Sequence, residues 1–198
     1  MTEGGKFMIE EKICISNDEE KILLETIGQK MILISTEDPL NFNENFIWTL
    51  YCDFGKIYLK IERKDIVAKM FDIDEDGGNF FISKVQPQKE HKIVTKTINR
   101  TVQDVCIVEV NIEFEDYKIQ YPKAVIFQFE DCNLVIEKSW IFSLAGFLVR
   151  LEQTSDETFG FMDEVSFWYD PEVSEKKPLA TQKIKSLKSD KITSVKQI

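Results

Sequence analysis

At 198 residues, with 43% hydrophobic side chains and fifteen Phe, the chain has enough apolar material for a sizeable core, which excludes disorder along its whole length. Its formal net charge of −10 is uneven, because the segment from Pro171 to Ile198 carries +4 and residues 1–170 therefore carry −14. An acidic body repels phosphates, so we expect no binding of nucleic acid through it, and the charge instead favours a basic partner.

The first predicted elements are a strand and a short helix. Lys6–Ser16 mixes four large apolar residues with charges, which indicates one strand or two short ones. Asn17–Glu20 places a capping residue before acidic side chains, and this pattern predicts a helix start. Gly28 is a suitable end for that helix.

Strands and a hairpin follow. Met31–Thr36 is nearly all apolar, as expected of a strand covered on both faces. Ile47–Asp53 and Lys56–Arg63 flank Phe54-Gly55, and two alternating runs around turn residues predict a hairpin. A further strand is predicted at Asn79–Val85.

One acidic stretch resembles the opening of a calcium loop. It places carboxylates at Asp72, Asp74, Glu75 and Asp76, followed by two Gly. In such a loop the twelfth position carries a bidentate Glu, whereas this chain has Ser83 there. We therefore expect this stretch to form an acidic hairpin tip without a metal ion. Calcium binding is the alternative interpretation.

The second half begins with a predicted helix over Ile93–Val105 and a predicted strand over Cys106–Glu115. Alternation along that strand assigns Cys106, Val108, Val110, Ile112 and Phe114 to the core and Ile107 to the other face. The outer face then carries three carboxylates in a row: Glu109, Glu113 and Glu115.

A second hairpin and two strands complete the body. Ala124–Phe129 and Asn133–Lys138 flank a short polar turn, and strands are predicted at Phe147–Leu151 and Val165–Tyr169. Beyond Pro171 the apolar density falls and seven Lys appear, which predicts a flexible tail over residues 171–198. A short apolar helix face within the tail remains an alternative.

The middle of the chain resembles a duplication with an offset of 75 residues. Lys21–Ile66 and Lys96–Ile141 align without a gap and share eight identical residues in forty-six positions, most of them apolar. We predict a mainly β (α+β) protein of two similar halves, residues 1–87 and 88–170, each with one short helix. The halves are expected to pack as a sandwich or a barrel-like unit, with the tail outside.

Few residues suited to catalysis are present. His91 is the single histidine, so the usual zinc ligand sets and Ser-His-Asp arrangements are not available. Neither Gly-rich phosphate-binding motif occurs. We expect no catalytic residues and no cofactor.

The cysteines, the apolar runs and the N-terminus indicate the cellular compartment in which we expect the protein. Cys14, Cys52, Cys106 and Cys132 are widely spaced and suit reduced thiols, with disulfides as the alternative. No apolar run approaches the ~18 residues that span a bilayer, and no secretory signal is visible. These features predict a cytoplasmic protein that does not contact membranes.

The stretch Tyr121–Lys138, which contains the second hairpin, resembles a hairpin of small bacterial β-rich proteins, some of the toxin-immunity type. This resemblance covers a turn and two strands and implies a β-rich fold. It carries no functional residue.

Together these features predict a non-catalytic, acidic binding protein that masks a basic protein partner. Its expected binding residues are Glu109, Glu113, Glu115, Asp72, Asp74, Glu75 and Asp76. One alternative is a hydrolase or small-ligand protein with a carboxylate site between the halves. Another is an assembly component that uses its basic tail, and whether the chain forms a homo-oligomer is left open.

Overall fold

The computed structural model describes residues 9–37, 46–70, 73–87, 94–114, 117–138, 145–152 and 178–197. Within these ranges the chain forms one helix, α1 (Asn17–Leu24), and thirteen strands, so the described protein is mainly β, as predicted. The strands are β1 (Ile9–Lys12), β2 (Lys30–Thr36), β3 (Phe46–Ile47), β4 (Thr49–Asp53), β5 (Tyr58–Met70), β6 (Ile73–Lys84), β7 (Val94–Thr101), β8 (Asp104–Phe114), β9 (Tyr117–Gln128), β10 (Asn133–Lys138), β11 (Phe147–Glu152), β12 (Leu179–Ser186) and β13 (Ile192–Gln197).

Helix α1 begins at Asn17, where the sequence predicts a helix start, but its cap is Ser16 and not Asn17 or Asp18. The Ser16 hydroxyl accepts a hydrogen bond from the backbone N–H of Glu19, and the Glu19 carboxylate accepts one from the backbone N–H of Ser16. This reciprocal arrangement satisfies two N–H groups that a helix start leaves unpaired. Leu23 is fully buried, and Gly28 follows the helix with a φ of 80° that suits glycine.

Two sheets form the body. The five-stranded sheet has the order β6-β5-β4-β2-β7, and all its neighbouring strands are antiparallel. The eight-stranded sheet has the order β13-β12-β8-β9-β10-β11-β3, with β1 parallel to β9. Both β1 and β10 pair with β9, at opposite ends of this long strand.

The main core lies between the two sheets. Its apolar side chains come from both sheets and from α1, as expected of a sandwich. Phe80 of β6 stacks on Phe147 of β11 with 4.7 Å between ring centroids. Burial of such side chains supplies most of the free energy that favours folding.

Each sheet draws strands from both sides of the predicted boundary at residues 87 and 88. β1 and β3, from residues 1–87, pair in the eight-stranded sheet. β7, from residues 88–170, pairs with β2 in the five-stranded sheet. The strands of the two predicted halves are therefore mixed between the two sheets.

The two predicted hairpins, β4–β5 and β9–β10, share one pairing register. Cys52 lies opposite Leu59 in the first, and Phe127 lies opposite Leu134 in the second, with 75 residues between equivalent positions. Leu59 and Leu134 are both fully buried in the main core. The core positions predicted from the aligned hairpins are confirmed as buried.

The common register stops at the hairpins. Leu33 of β2 lies opposite Asp53, whereas Val108 of β8 lies opposite Ala124, four residues away from the position that the offset requires. The duplication of Lys21–Ile66 as Lys96–Ile141 is therefore not confirmed beyond the hairpins and stays a prediction.

The prediction of a helix over Ile93–Val105 is wrong. Residues 94–101 form β7, which pairs with β2 from Thr36 opposite Val94 to Lys30 opposite Thr101. Val94, Thr95 and Thr97 are β-branched and favour strands, and the unpaired edge of β2 provides hydrogen-bonding partners.

The predicted outer face of β8 also needs correction. Ile107 is 2% exposed and belongs to the main core, whereas Cys106 and Val108 belong to a separate buried cluster. Successive strand residues point to opposite faces, so this part of β8 is buried on both sides. Its apolar run suits a fully covered strand better than a half-exposed one.

The C-terminal segment differs from the flexible tail that the sequence predicts. Residues 179–186 form β12, which pairs with β8 over eight residues, and β13 pairs with β12. Leu187 is 6% exposed and lies in the main core, and the Lys185 ammonium lies 2.8 Å from the Glu20 carboxylate of α1. Pairing with the long β8 compensates for the low apolar content of this segment.

Candidate functional site

The acidic stretch of the first half lies on an edge strand. In the β5–β6 hairpin, Asp74 lies opposite Lys69 and Asp76 opposite Val67. Asp74, Glu75 and Asp76 are exposed, whereas Asp72 lies outside the described residues. Side chains alternate between the faces of a strand, so this conformation is not that of a calcium loop. Among the described residues, no group of three or more His, Cys, Asp or Glu side chains could hold a metal ion.

The acidic row of the second half lies on β8 and is matched by donors from β9. The Glu113 carboxylate lies 3.2 Å from the Lys118 ammonium, and the Glu109 carboxylate accepts a hydrogen bond of 3.1 Å from the Gln120 amide. Both carboxylates are partly buried, and Glu115 lies outside the described residues. Part of the charge expected on this face is therefore neutralised within the protein.

The tertiary structure brings the two acidic stretches together. The hydroxyl of Tyr117, the first residue of β9, donates to the backbone carbonyl of Lys69 near the end of β5. Lys118 follows Tyr117 and pairs in the sheet with Glu113 on one side and Glu10 of β1 on the other. Two groups of carboxylates lie on the strands that this contact joins, and together we call them the acidic hairpin end. Asp74, Glu75 and Asp76 belong to β6, and Glu10 and Glu113 flank Lys118 on the face of the sheet opposite to Tyr117.

Tyr117 is a structural contact of the acidic hairpin end. Burial raises the pKa of Tyr117 to about 12, and the negative charge of nearby Glu11 adds to the shift. The phenol therefore stays protonated at neutral pH and keeps its hydrogen bond to the β5 backbone.

Sequence reasoning missed the contribution of β1 and the neutralising role of β9. The alternation of Ile9-Glu10-Glu11-Lys12 predicts a strand, but no local signal indicates that it pairs in parallel with Tyr117–Gln120. Lys118 follows the acidic row closely in sequence, so a predicted β8–β9 hairpin would have placed it beside Glu113.

A separate pocket of about 680 Å³ lies where β7 of the first sheet meets the β9–β10 turn of the second. It is lined by Ile98, Asn99, Arg100, Thr101, Gln103, Glu130 and Asp131. The Arg100 guanidinium makes two hydrogen bonds to Asp131, of 2.7 and 2.9 Å.

This ion pair determines what the pocket can do chemically. The Arg100 guanidinium holds the pKa of the Asp131 carboxyl below its usual range, so Asp131 is ionised at neutral pH. A general acid needs the opposite shift. The pocket therefore suits binding of a polar ligand better than acid catalysis by Asp131.

Comparisons with protein-family models, with curated proteins and with solved structures find no match to this chain. In the part of the chain that the structure describes, no helix has both the length and the apolar character needed to cross a membrane. His91 lies outside that part.

Proposed function

We propose that this protein is a non-catalytic binding protein whose acidic hairpin end masks a basic protein partner, in the manner of an inhibitor or immunity protein. The observation that carries the proposal is the contact between Tyr117 and Lys69, since it joins acidic stretches from two distant parts of the chain. Clustered carboxylates give a stronger local field than the same charges dispersed over the surface.

The charge distribution within the acidic hairpin end supports Asp74, Glu75 and Asp76 as the main contacts. All three are exposed, and Lys69 is the cation directly opposite them in the hairpin. Glu113, by contrast, shares Lys118 with Glu10. The β6 end of the surface therefore keeps more uncompensated charge than the β8 end.

Binding by such a surface depends on salt. The net charge of −10 attracts a basic partner over a distance set by the Debye length, about 8 Å at physiological ionic strength. Long-range attraction raises the association rate and weakens as salt increases.

The test is capture of partners from the source organism at low and high salt, with a matched pair of variants. Asp74→Asn/Asp76→Asn removes two charges from the acidic hairpin end, and Asp18→Asn/Glu25→Gln removes two exposed charges elsewhere. We expect basic proteins to be retained at low salt by the native protein and the second variant, and to be lost from the first. Equal retention by both variants, or retention that salt does not affect, would contradict the proposal.

A second candidate is a small-ligand protein that uses the Arg100 pocket, which contains Glu130 and Asp131 and lies between strands of the two sheets. The lowered pKa of Asp131 supports ligand binding rather than hydrolysis. The assembly alternative has less support, because it relied on a mobile basic tail and residues 178–197 are part of the sheet structure.

The state of the cysteines supports a reducing compartment such as the cytoplasm as the place of action. All four are free thiols. Burial raises the pKa of the Cys106 thiol to about 12, which makes it a poor nucleophile.

A further inference from the structure

One edge of β6 has no neighbouring strand. Within the described ranges β6 ends the order of the five-stranded sheet and pairs only with β5, without a shift of register. In an antiparallel pair, every second residue exchanges hydrogen bonds with its partner, and the residues between direct their backbone groups away from it. The N–H of Val85 donates to the Tyr58 carbonyl, so the odd-numbered residues bond to β5. The even-numbered residues of β6 therefore present their N–H and C=O groups to the free edge.

Two side chains cover the half of this edge that lies beside the core. The Glu19 carboxylate of α1 accepts a hydrogen bond of 2.9 Å from the Ile82 N–H. The Lys138 ammonium of β10 donates to the Gly78 carbonyl at 3.0 Å. Both Gly78 and Ile82 are buried. These contacts occupy groups that a further strand would need, so this half of the edge is closed.

The other half of the edge, at Asp74 and Asp76, is exposed. In the part of the chain that the structure describes, no group bonds to the outward N–H and C=O of either residue. The two residues thus offer two donors and two acceptors, repeated at about 6.6 Å along the strand. Such a row of unpaired backbone groups is a template for another strand. We call residues 74–76 the open edge.

The side chains of the open edge select the kind of strand that can pair there. Asp74 and Asp76 lie on one face of β6 and Glu75 on the other, so both faces carry negative charge. Like charges directly opposite each other destabilise a strand pair, which disfavours pairing of β6 with β6 of a second copy. Opposite charges stabilise the pair. A strand with Lys or Arg at alternate positions therefore suits the open edge best.

We propose that the open edge pairs with an extended basic segment of a partner protein, which adds to the sheet as an antiparallel strand. The inference rests on the proposed function and gives its mode of recognition. In an antiparallel pair, basic residues directly opposite Asp74 and Asp76 exchange backbone hydrogen bonds with them and also place their cations beside the carboxylates. Backbone bonding supplies affinity, and the alternating side chains supply specificity. The pairing is short, because the Lys138 contact closes the edge at Gly78.

The test compares three capped peptides of the sequence Thr-Lys-Thr-Lys-Thr-Lys-Thr. One is unmodified, one carries a methyl group on the backbone nitrogen of each Lys, and one carries it on the nitrogen of each Thr. All three have the same charge, but only methylation at Lys removes the N–H groups that face β6. In NMR titrations of the native protein at low salt, methylation at Lys should lower the affinity at least fivefold. Methylation at Thr should leave the affinity within twofold of the unmodified peptide.

A pair of protein variants tests the same contact from the other side. Asp76→Pro and Asp76→Asn remove the same charge, and only proline also removes the outward N–H. Because that N–H does not bond to β5, an edge position of this kind tolerates proline. We expect Asp76→Pro to bind the unmodified peptide at least fivefold more weakly than Asp76→Asn. If Asp76→Pro does not fold, the three peptides with the native protein still decide the question.

The outcomes separate this inference from the proposed function. Equal affinity for the two methylated peptides, combined with weaker binding by Asp74→Asn/Asp76→Asn, would overturn strand pairing and leave the masking function in place. If the native protein bound none of the peptides at low salt, the strand site would be refuted, whereas the capture experiment would still decide the masking function. A dimer of the native protein in light scattering that Asp76→Pro abolishes would show that a second copy occupies the open edge, and would also overturn the inference.

Discussion

Leu187→Ala tests whether the C-terminal segment is part of the folded core. The Leu187 side chain is 6% exposed in the main core, and its backbone N–H donates to the Val105 carbonyl at 2.9 Å, a bond that alanine keeps. Core Leu→Ala changes cost about 2–5 kcal/mol. Leu187 borders a turn where neighbours can relax, so we expect a loss of about 2–3 kcal/mol. At about 2–4 °C per kcal/mol for a chain of this size, the melting temperature should fall by about 4–12 °C.

The matched control is Ile192→Ala in the same segment. Ile192 is 64% exposed, so its truncation should change the free energy of unfolding by about 0.5 kcal/mol or less. Urea unfolding followed by circular dichroism measures both variants against the native protein. If Leu187→Ala were as mild as Ile192→Ala, the segment would not contribute to the core, and the prediction of a dispensable tail would be restored.

Two further predictions concern titration and thiol reactivity. Because Arg100 lowers the Asp131 pKa, the pair stabilises the protein above the ordinary pKa of Asp, about 3.9, and this contribution disappears as pH falls through the lowered value. Arg100→Gln should therefore raise the Asp131 pKa in an NMR titration, and an unchanged value would refute the assignment. Exposed Cys14 should react with a thiol reagent at pH 8 in the native protein, whereas Cys106, whose burial raises its pKa to about 12, should react only on unfolding. Mass spectrometry of the labelled protein checks this order, and early labelling of Cys106 would contradict it.

Local signals in the sequence determined the two central hairpins. In the first, Gly55 has a φ of 79° and its N–H donates to the Asp53 side chain, a geometry that the short Asp-Phe-Gly turn encodes directly. The flanking alternation specified which residues are buried, including Ile61 and Ile136. Turn residues and a two-residue period act over a few positions, so they can be recognised without knowing the fold.

Three elements depended on partners distant in sequence. Residues 94–101 became a strand because β2 offered an edge, and residues 179–186 became a strand because β8 did. β1 pairs in parallel with a strand more than 100 residues away. In each case the hydrogen bonds to a distant strand, which no local preference specifies, completed the element.

The candidate site likewise combines features that the sequence determines with features that only the tertiary structure determines. The sequence by itself determined that two stretches are acidic and that Glu109, Asn111 and Glu113 share one face of a strand, because composition and period two are local properties. Only the tertiary structure decided that these stretches meet at the Tyr117 contact, that Lys118 neutralises part of their charge, and that half of the β6 edge is covered while its acidic half is exposed. Those features depend on which strands become neighbours, and strand pairing is set by long-range packing and hydrogen bonding that no local pattern specifies.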